Sequence, residues 1–138
     1  MQDLRAISDR LLAAIAGHSP EGVAACYSQG QATYLPGGEV VHGREGKVEL
    51  LKGFFRAFPD LMIELDRVLV SDNNIVCVGS MRGTHTGPMA TPEGELPATG
   101  RRVDLPIAYV LTVGDEGLIE TDRTYYDNSV FAAQLGLA

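Results

Sequence analysis

VDLPIAYVLTV, residues 103–113, sets Val103, Leu105, Ile107, Tyr109, Leu111 and Val113 on one side of the chain. Asp104, Pro106, Ala108, Val110 and Thr112 fall on the other. An unbroken period of two over this length is the pattern of a strand with one buried face. Downstream, Gly114-Asp115-Glu116-Gly117 supplies turn chemistry, and a last strand is expected over 118–126. Upstream, residues 87–101 are rich in Gly, Pro and Thr and read as the longest loop. Before it, a strand runs from Ile75 to about His85, reached through the turn Ser71-Asp72-Asn73-Asn74. A further strand holds Leu61, Ile63, Leu65 and Leu69 in alternation. These four strands make an antiparallel meander. Ahead of Pro59 the period is helical. Leu4, Ile7, Leu11 and Ile15 predict an amphipathic helix over about 2–17, and Ser19-Pro20-Glu21 opens a short second one through Cys26. Val48, Leu51, Phe55 and Phe58 stripe a third over about 44–58, stopped by Pro59. Between them, 31–35 and 39–42 are short extended pieces turned around Pro36-Gly37-Gly38. Helices first and strands after predict an α+β fold in which a curved sheet wraps the helices.

The chain has 138 residues, 45% of them hydrophobic and 21% charged, which suits one domain with one core. No apolar run approaches the ~20 residues of a membrane helix. MQDLRAISDR carries acid and lacks the basic patch and apolar run of a signal peptide, so a cytoplasmic protein is expected. A net charge of −7 argues against nucleic acid, because phosphate binding needs clustered Lys and Arg. Cys26 and Cys77 are isolated, with no CxxC and no His at ligand spacing, so neither a metal site nor a disulfide framework is expected.

Five fragments stand in order along the second half: Gly83-Thr84-His85-Thr86-Gly87, Thr99-Gly100-Arg101-Arg102-Val103, Glu116-Gly117-Leu118-Ile119, Tyr125-Tyr126-Asp127 and Gln134-Leu135-Gly136. Phe58-Pro59-Asp60-Leu61 precedes them. Together they resemble the SnoaL-like polyketide cyclase and ester cyclase family of the NTF2-like superfamily, over essentially the whole chain. The resemblance implies an NTF2-like cone, with a strongly curved antiparallel sheet enclosing an apolar pocket beneath the first and third helices. It implies a small enzyme without cofactor or metal, acting by acid–base chemistry on an apolar carbonyl compound as a cyclase or isomerase. It also implies a homodimer through the outer sheet face. A non-catalytic binding protein for a hydrophobic small molecule is the alternative. An epoxide hydrolase-like enzyme is another; it needs an Asp–Arg–Asp set, for which Arg82 and Arg123 are the candidate arginines. In the better-studied cyclases a carboxylate on the last strand takes a proton beside a carbonyl, and a His on the preceding strand helps hold the enolate. Those positions fall here on Thr124 and, allowing one inserted residue in the 114–117 turn, on Tyr109.

With Thr124 facing the pocket, alternation puts Glu120, Asp122 and Tyr126 on the same face, which makes Asp122 the nearest candidate base. Its other reading is an ion pair near the sheet rim with Arg102 or Arg123. Tyr109 is a candidate oxyanion donor, as a Tyr is in ketosteroid isomerase, a superfamily relative; the competing reading is a core Tyr bonded to backbone or to Thr124. His85, with an ordinary pKa of about 6.5, is a candidate auxiliary acid or base, or else the anchor of the 87–101 segment. Thr124, Tyr126, Met81 and Leu111 are expected to line the substrate wall, with Tyr34 and Tyr27 at its mouth; the competing reading of the two tyrosines is ordinary packing. Met62 and Met89 are weighed as wall or core. Asp127 is placed to cap a terminal helical turn. His18 is expected in solvent, and His42 and Arg44 on the surface opening the third helix. PMATPEGELPA, residues 88–98, reads as a cover over the pocket or an oligomer contact.

Overall fold

The structure, a computed structural model, describes residues 3–137. Helix α1 (Leu4–Ala16) begins where the Asp3 carboxylate accepts the Ala6 N–H at 3.1 Å. Residue 2, included in the expected helix, lies outside the described residues. Leu4, Ile7, Leu11 and Ile15 are all buried, as their spacing requires. Helix α2 (Pro20–Ala24) is capped by Ser19, whose hydroxyl accepts from Gly22 N–H at 2.9 Å. Strands β1 (Tyr27–Tyr34) and β2 (Val40–His42) precede α3 (Gly43–Ala57). Then come β3 (Met62–Ser71), β4 (Asn74–Thr84), β5 (Met89–Thr91), β6 (Gly94–Leu96), β7 (Arg102–Val113), β8 (Ile119–Tyr125) and α4 (Asn128–Gln134). The main sheet runs β2-β1-β8-β7-β4-β3, antiparallel except where β1 meets β8 in parallel. The meander β3-β4-β7-β8 is the one the alternation predicts. The parallel β1–β8 contact joins residues some ninety positions apart, and no local pattern announces it.

Two β-bulges alter which residues face inward. In β3 the register against β4 jumps between Leu65 and Arg67, leaving Asp66 unpaired. Ile63 and Leu65 pack on the core before the jump and Val68 after it, while Leu69 is exposed rather than inward as its alternation predicted. Gly79 sits opposite this bulge, and a Cβ there would collide with the Glu64 carbonyl. In β8 the jump falls between the pairs Thr112↔Thr121 and Val113↔Ile119, so Glu120 is the extra residue and points to solvent. The expectation that Glu120 shares a face with Asp122 is therefore wrong, because the bulge resets the alternation between them. Pro106 is tolerated in the middle of β7 because β8 pairs only from Ala108 onward, so β7 is an edge there.

Residues 87–101 are not one loop. Met89↔Leu96, Ala90↔Glu95 and Thr91↔Gly94 pair as a small hairpin, too short to display a period. Asp127 caps α4 by accepting the Ser129 and Val130 N–H groups. Within the sheet's curve lie two apolar clusters, one around α1, Ile75, Leu111 and Ile119, the other around Phe58, Leu105, Ile107 and Phe131. Ile63 and Tyr109 pack against both. Among the described residues no helix is long and apolar enough to cross a membrane.

Candidate active site

A cavity of about 70 Å³ lies between the two apolar clusters, walled by Ile15, Leu51, Phe55, Ile63, Met81 and Ile107. Five side chains with polar groups interrupt the apolar wall: Tyr109 from β7, Thr124 from β8, Thr33 from β1, Lys47 from α3 and Tyr126 just after β8. Tyr109 and Thr124 are direct partners across β7 and β8. Strand pairing thus brings to one spot the two positions singled out by the resemblance in the sequence. The Tyr109 backbone pairs with Cys77 and Thr124, while among the described residues no side-chain hydrogen bond involves its hydroxyl. Burial, and then the charge of Asp122, push its pKa far above the usual phenol range, so it keeps its proton and is available as a donor.

Asp122 lies one alternate position deeper on β8, opposite Leu111, and does not line the cavity. It is 1% exposed and accepts three hydrogen bonds. Tyr27 donates to Oδ2 at 2.6 Å, Lys47 Nζ to the same oxygen at 3.0 Å, and the Thr124 hydroxyl to Oδ1 at 2.9 Å. Its ionic partner is Lys47, not Arg102 or Arg123. Lys47 also donates to Thr33 Oγ1 at 3.0 Å and sits 4.2 Å from the Tyr27 ring centroid. Thr33 in turn donates to Gln31, whose amide reaches the Gly43 and Val41 carbonyls. Every partner in this network is satisfied, which is how a buried charge pair persists in an apolar wall. Burial first, then the Asp122 charge, hold the Tyr27 phenol well above its ordinary pKa and raise the Cys77 thiol to about 11.

The remaining expected site residues divide. Met81 and Tyr126 line the cavity. Leu111 is fully buried in packing and does not reach it. Tyr34 points the other way, since Thr33 and Leu35 on either side are the lining residues, and its ring carries the Arg123 guanidinium at 4.2 Å. Tyr27 is not at a mouth but beneath the wall. His85 is absent from the cavity: Thr99 N–H donates to its Nδ1 at 3.1 Å, and its backbone pairs with Arg101 and Gly100, so it anchors the 87–101 segment. Burial lowers its pKa, opposed by the Gly87 backbone. Met62 is exposed. His18, expected in solvent, stacks on Phe55 at 4.4 Å and bonds the Leu61 carbonyl. Arg44, expected on the surface, donates from Nε to the Tyr27 carbonyl at 2.7 Å. Arg82 pairs with Glu64 and Asp104, and no arginine lines the cavity, so an Asp–Arg–Asp set is not assembled there. Among the described residues no group of three or more His, Cys, Asp or Glu is placed to hold a metal.

Lys47 and Thr33 were missed in the sequence. Lys47 lies four, seven and eight residues before Leu51, Phe54 and Phe55, on the apolar stripe of α3, and that spacing was the available signal. Outside the cavity, a cleft of about 860 Å³ runs between the second half of α3 and the β5 side of the small hairpin, with Met89, Pro92, Glu39, Glu49 and Phe131 on its walls. Leu35, Leu50, Phe54 and Tyr126 line both spaces and form the partition.

The family model for SnoaL-like polyketide cyclases matches residues 6–135, nearly the whole chain. The chain belongs to this family. The fold is shared with a SnoaL-like polyketide cyclase candidate from Jannaschia sp. CCS1, at 20% identity, TM-score 0.84, and coverage of 97% of this chain and 92% of that one. It is shared with TsrD from Streptomyces laurentii at 23% identity, TM-score 0.83 and full coverage of both chains. TerC, co-crystallised with polyporic acid, is 14% identical at TM-score 0.75, covering 96% of this chain and 97% of that one. None of the curated proteins matches the chain significantly. The SnoaL-like match agrees with the NTF2-like cone expected from the quoted fragments, while identities this low carry the fold and not the chemistry.

Proposed function

We propose that this SnoaL-like protein is a cofactor-independent acid–base catalyst of the cyclase or isomerase type, acting on an apolar carbonyl compound. The observation that carries this reading is the cross-strand pair Tyr109–Thr124 facing an apolar cavity with the Asp122 carboxylate directly behind Thr124. Tyr109 donates to the carbonyl oxygen and stabilises the negative charge that develops there, an effect strengthened by the low dielectric of the wall. Asp122 is the proton acceptor, reached through Thr124. As the Thr124 oxygen takes the proton from the carbon beside the carbonyl, its own proton passes to Asp122 Oδ1. The cavity holds only the reacting end of a ligand, and the outer cleft, within the size range of small-molecule sites, takes the rest. The co-crystallisation of TerC with polyporic acid is in keeping with a small organic occupant of this fold.

A second reading, a binding protein without chemistry, is favoured by one observation: both Asp122 oxygens are already occupied by three donors of this chain and do not line the cavity. Deuterium exchange separates the two. Aromatic ketones and 1,3-diketones are incubated with the protein in D2O and followed by NMR. Catalysis predicts exchange at the carbon beside the carbonyl faster than without protein, the acceleration cut by about 10²-fold or more in Tyr109→Phe with binding retained. Ligands that bind and do not exchange leave the binding reading standing.

A further inference from the structure

The sequence contains two lysines. Lys52 is on the exposed side of α3, 3.8 Å from Glu49, while Lys47 is 5% exposed and lines the cavity. A lysine on the buried stripe of a helix is costly, and its charge must be met in place. Here it is met by Asp122 and Thr33, yet the side chain still reaches the space in which a ligand carbonyl is proposed to sit. Three features needed for amine addition to a carbonyl therefore coincide: an apolar wall that disfavours separated charges, a carboxylate 3.0 Å from Nζ to take the ammonium's proton, and the protonated phenol of Tyr109 on the same cavity.

We propose that Lys47 is a nucleophile that forms a Schiff base with the aldehyde or ketone group of the ligand. This rests on the carbonyl-ligand reading above and deepens it. The ammonium first transfers one proton to Asp122, an exchange that turns a buried ion pair into a neutral one and removes the desolvation cost of two charges. The Nζ lone pair then adds to the carbonyl carbon as the C=O π pair moves to oxygen, polarised by the Tyr109 hydroxyl. The alkoxide takes a proton from the added nitrogen, giving a neutral carbinolamine. Asp122 returns its proton to the departing hydroxyl, water leaves, and a cationic C=N bond remains, paired with the restored carboxylate. The three protons of the starting ammonium end as two on water and one on the iminium nitrogen. The iminium is a stronger electron sink than the carbonyl it replaces, so the Thr124–Asp122 relay works on a more acidic carbon.

The test incubates the full chain with pentane-2,4-dione at neutral pH. An amine that adds to this diketone and loses water gives a stable enaminone, read by near-ultraviolet absorbance and by the mass of the diketone less one water. Peptide mapping assigns the label among Lys47, Lys52 and the terminal amine. The expected result is Lys47 modified at least about tenfold faster than Lys52 in spite of its burial, with most of that advantage lost in Asp122→Asn. Labelling confined to Lys52 and the terminal amine overturns the proposal, and the wild-type protein alone decides this if the variant does not fold. In D2O, deuterium exchange into the diketone faster than in a protein-free control, with Lys47 unmodified, overturns the covalent step and leaves the proposed function standing. Labelling of Lys47 with exchange no faster than that control supports the nucleophile and overturns the relay; neither signal removes both.

Discussion

Asp122 and Lys47 illustrate why a residue's type says less than its partners. Tyr109, Thr124 and Asp122 can be picked out from alternation along β7 and β8, and the structure keeps all three on the inner face. What alternation cannot supply is depth: Asp122 is sealed under Thr124 by Tyr27 and Lys47, which come from the other end of the chain. Breaking the pair from one side leaves a buried, uncompensated charge. Asp122→Asn is therefore expected to destabilise the fold by about 3–5 kcal/mol, measured by urea unfolding. The double change Lys47→Met with Asp122→Leu removes both charges and is expected to recover most of that loss. A single variant as stable as wild type would show that Lys47 does not depend on this carboxylate.

The elements that periodicity found are those long enough to show a period, and its errors fall at the interruptions. One unpaired residue in β3, Asp66, brings Val68 inward and leaves Leu69 outside; one in β8, Glu120, leaves Ile119 and Asp122 both inward. Both bulges depend on register with a neighbouring strand, which single-strand alternation does not contain. The 87–101 segment was legible as irregular, and its anchor at His85 was one of two readings open in the sequence. That anchor carries a pH dependence. Its folded pKa lies below the ordinary value of about 6.5, so the unfolded chain binds more protons over the interval between the two. Stability from the neutral imidazole is thus present above about pH 6.5 and is lost as pH falls toward the folded pKa. His85→Gln should flatten the slope of Tm against pH in the interval below about pH 6.5, measured against wild type. An unchanged slope would assign the acid sensitivity to other groups.

Taken as a whole, the molecule is a curved sheet around two apolar clusters, with a small polar-ended cavity at their seam and a larger cleft outside. Leu35, Leu50, Phe54 and Tyr126 separate the two spaces, so a ligand that spans them must displace at least one of these side chains. Phe54→Ala joins the spaces. It should raise the association rate of a bulky aromatic ketone several-fold in stopped-flow mixing, while costing about 1–3 kcal/mol of stability from lost packing. An unchanged rate would place the entry route elsewhere. The helix order, the antiparallel meander and the family fragments can all be read from local spacing, because helix and strand periods and turn chemistry are local physics. The inward pair Tyr109–Thr124 follows from the same spacing. The parallel β1–β8 contact, the two bulges and the meeting of Lys47 with Asp122 cannot be read that way. Each depends on segments distant in sequence coming together, where burial, register and charge pairing are settled jointly.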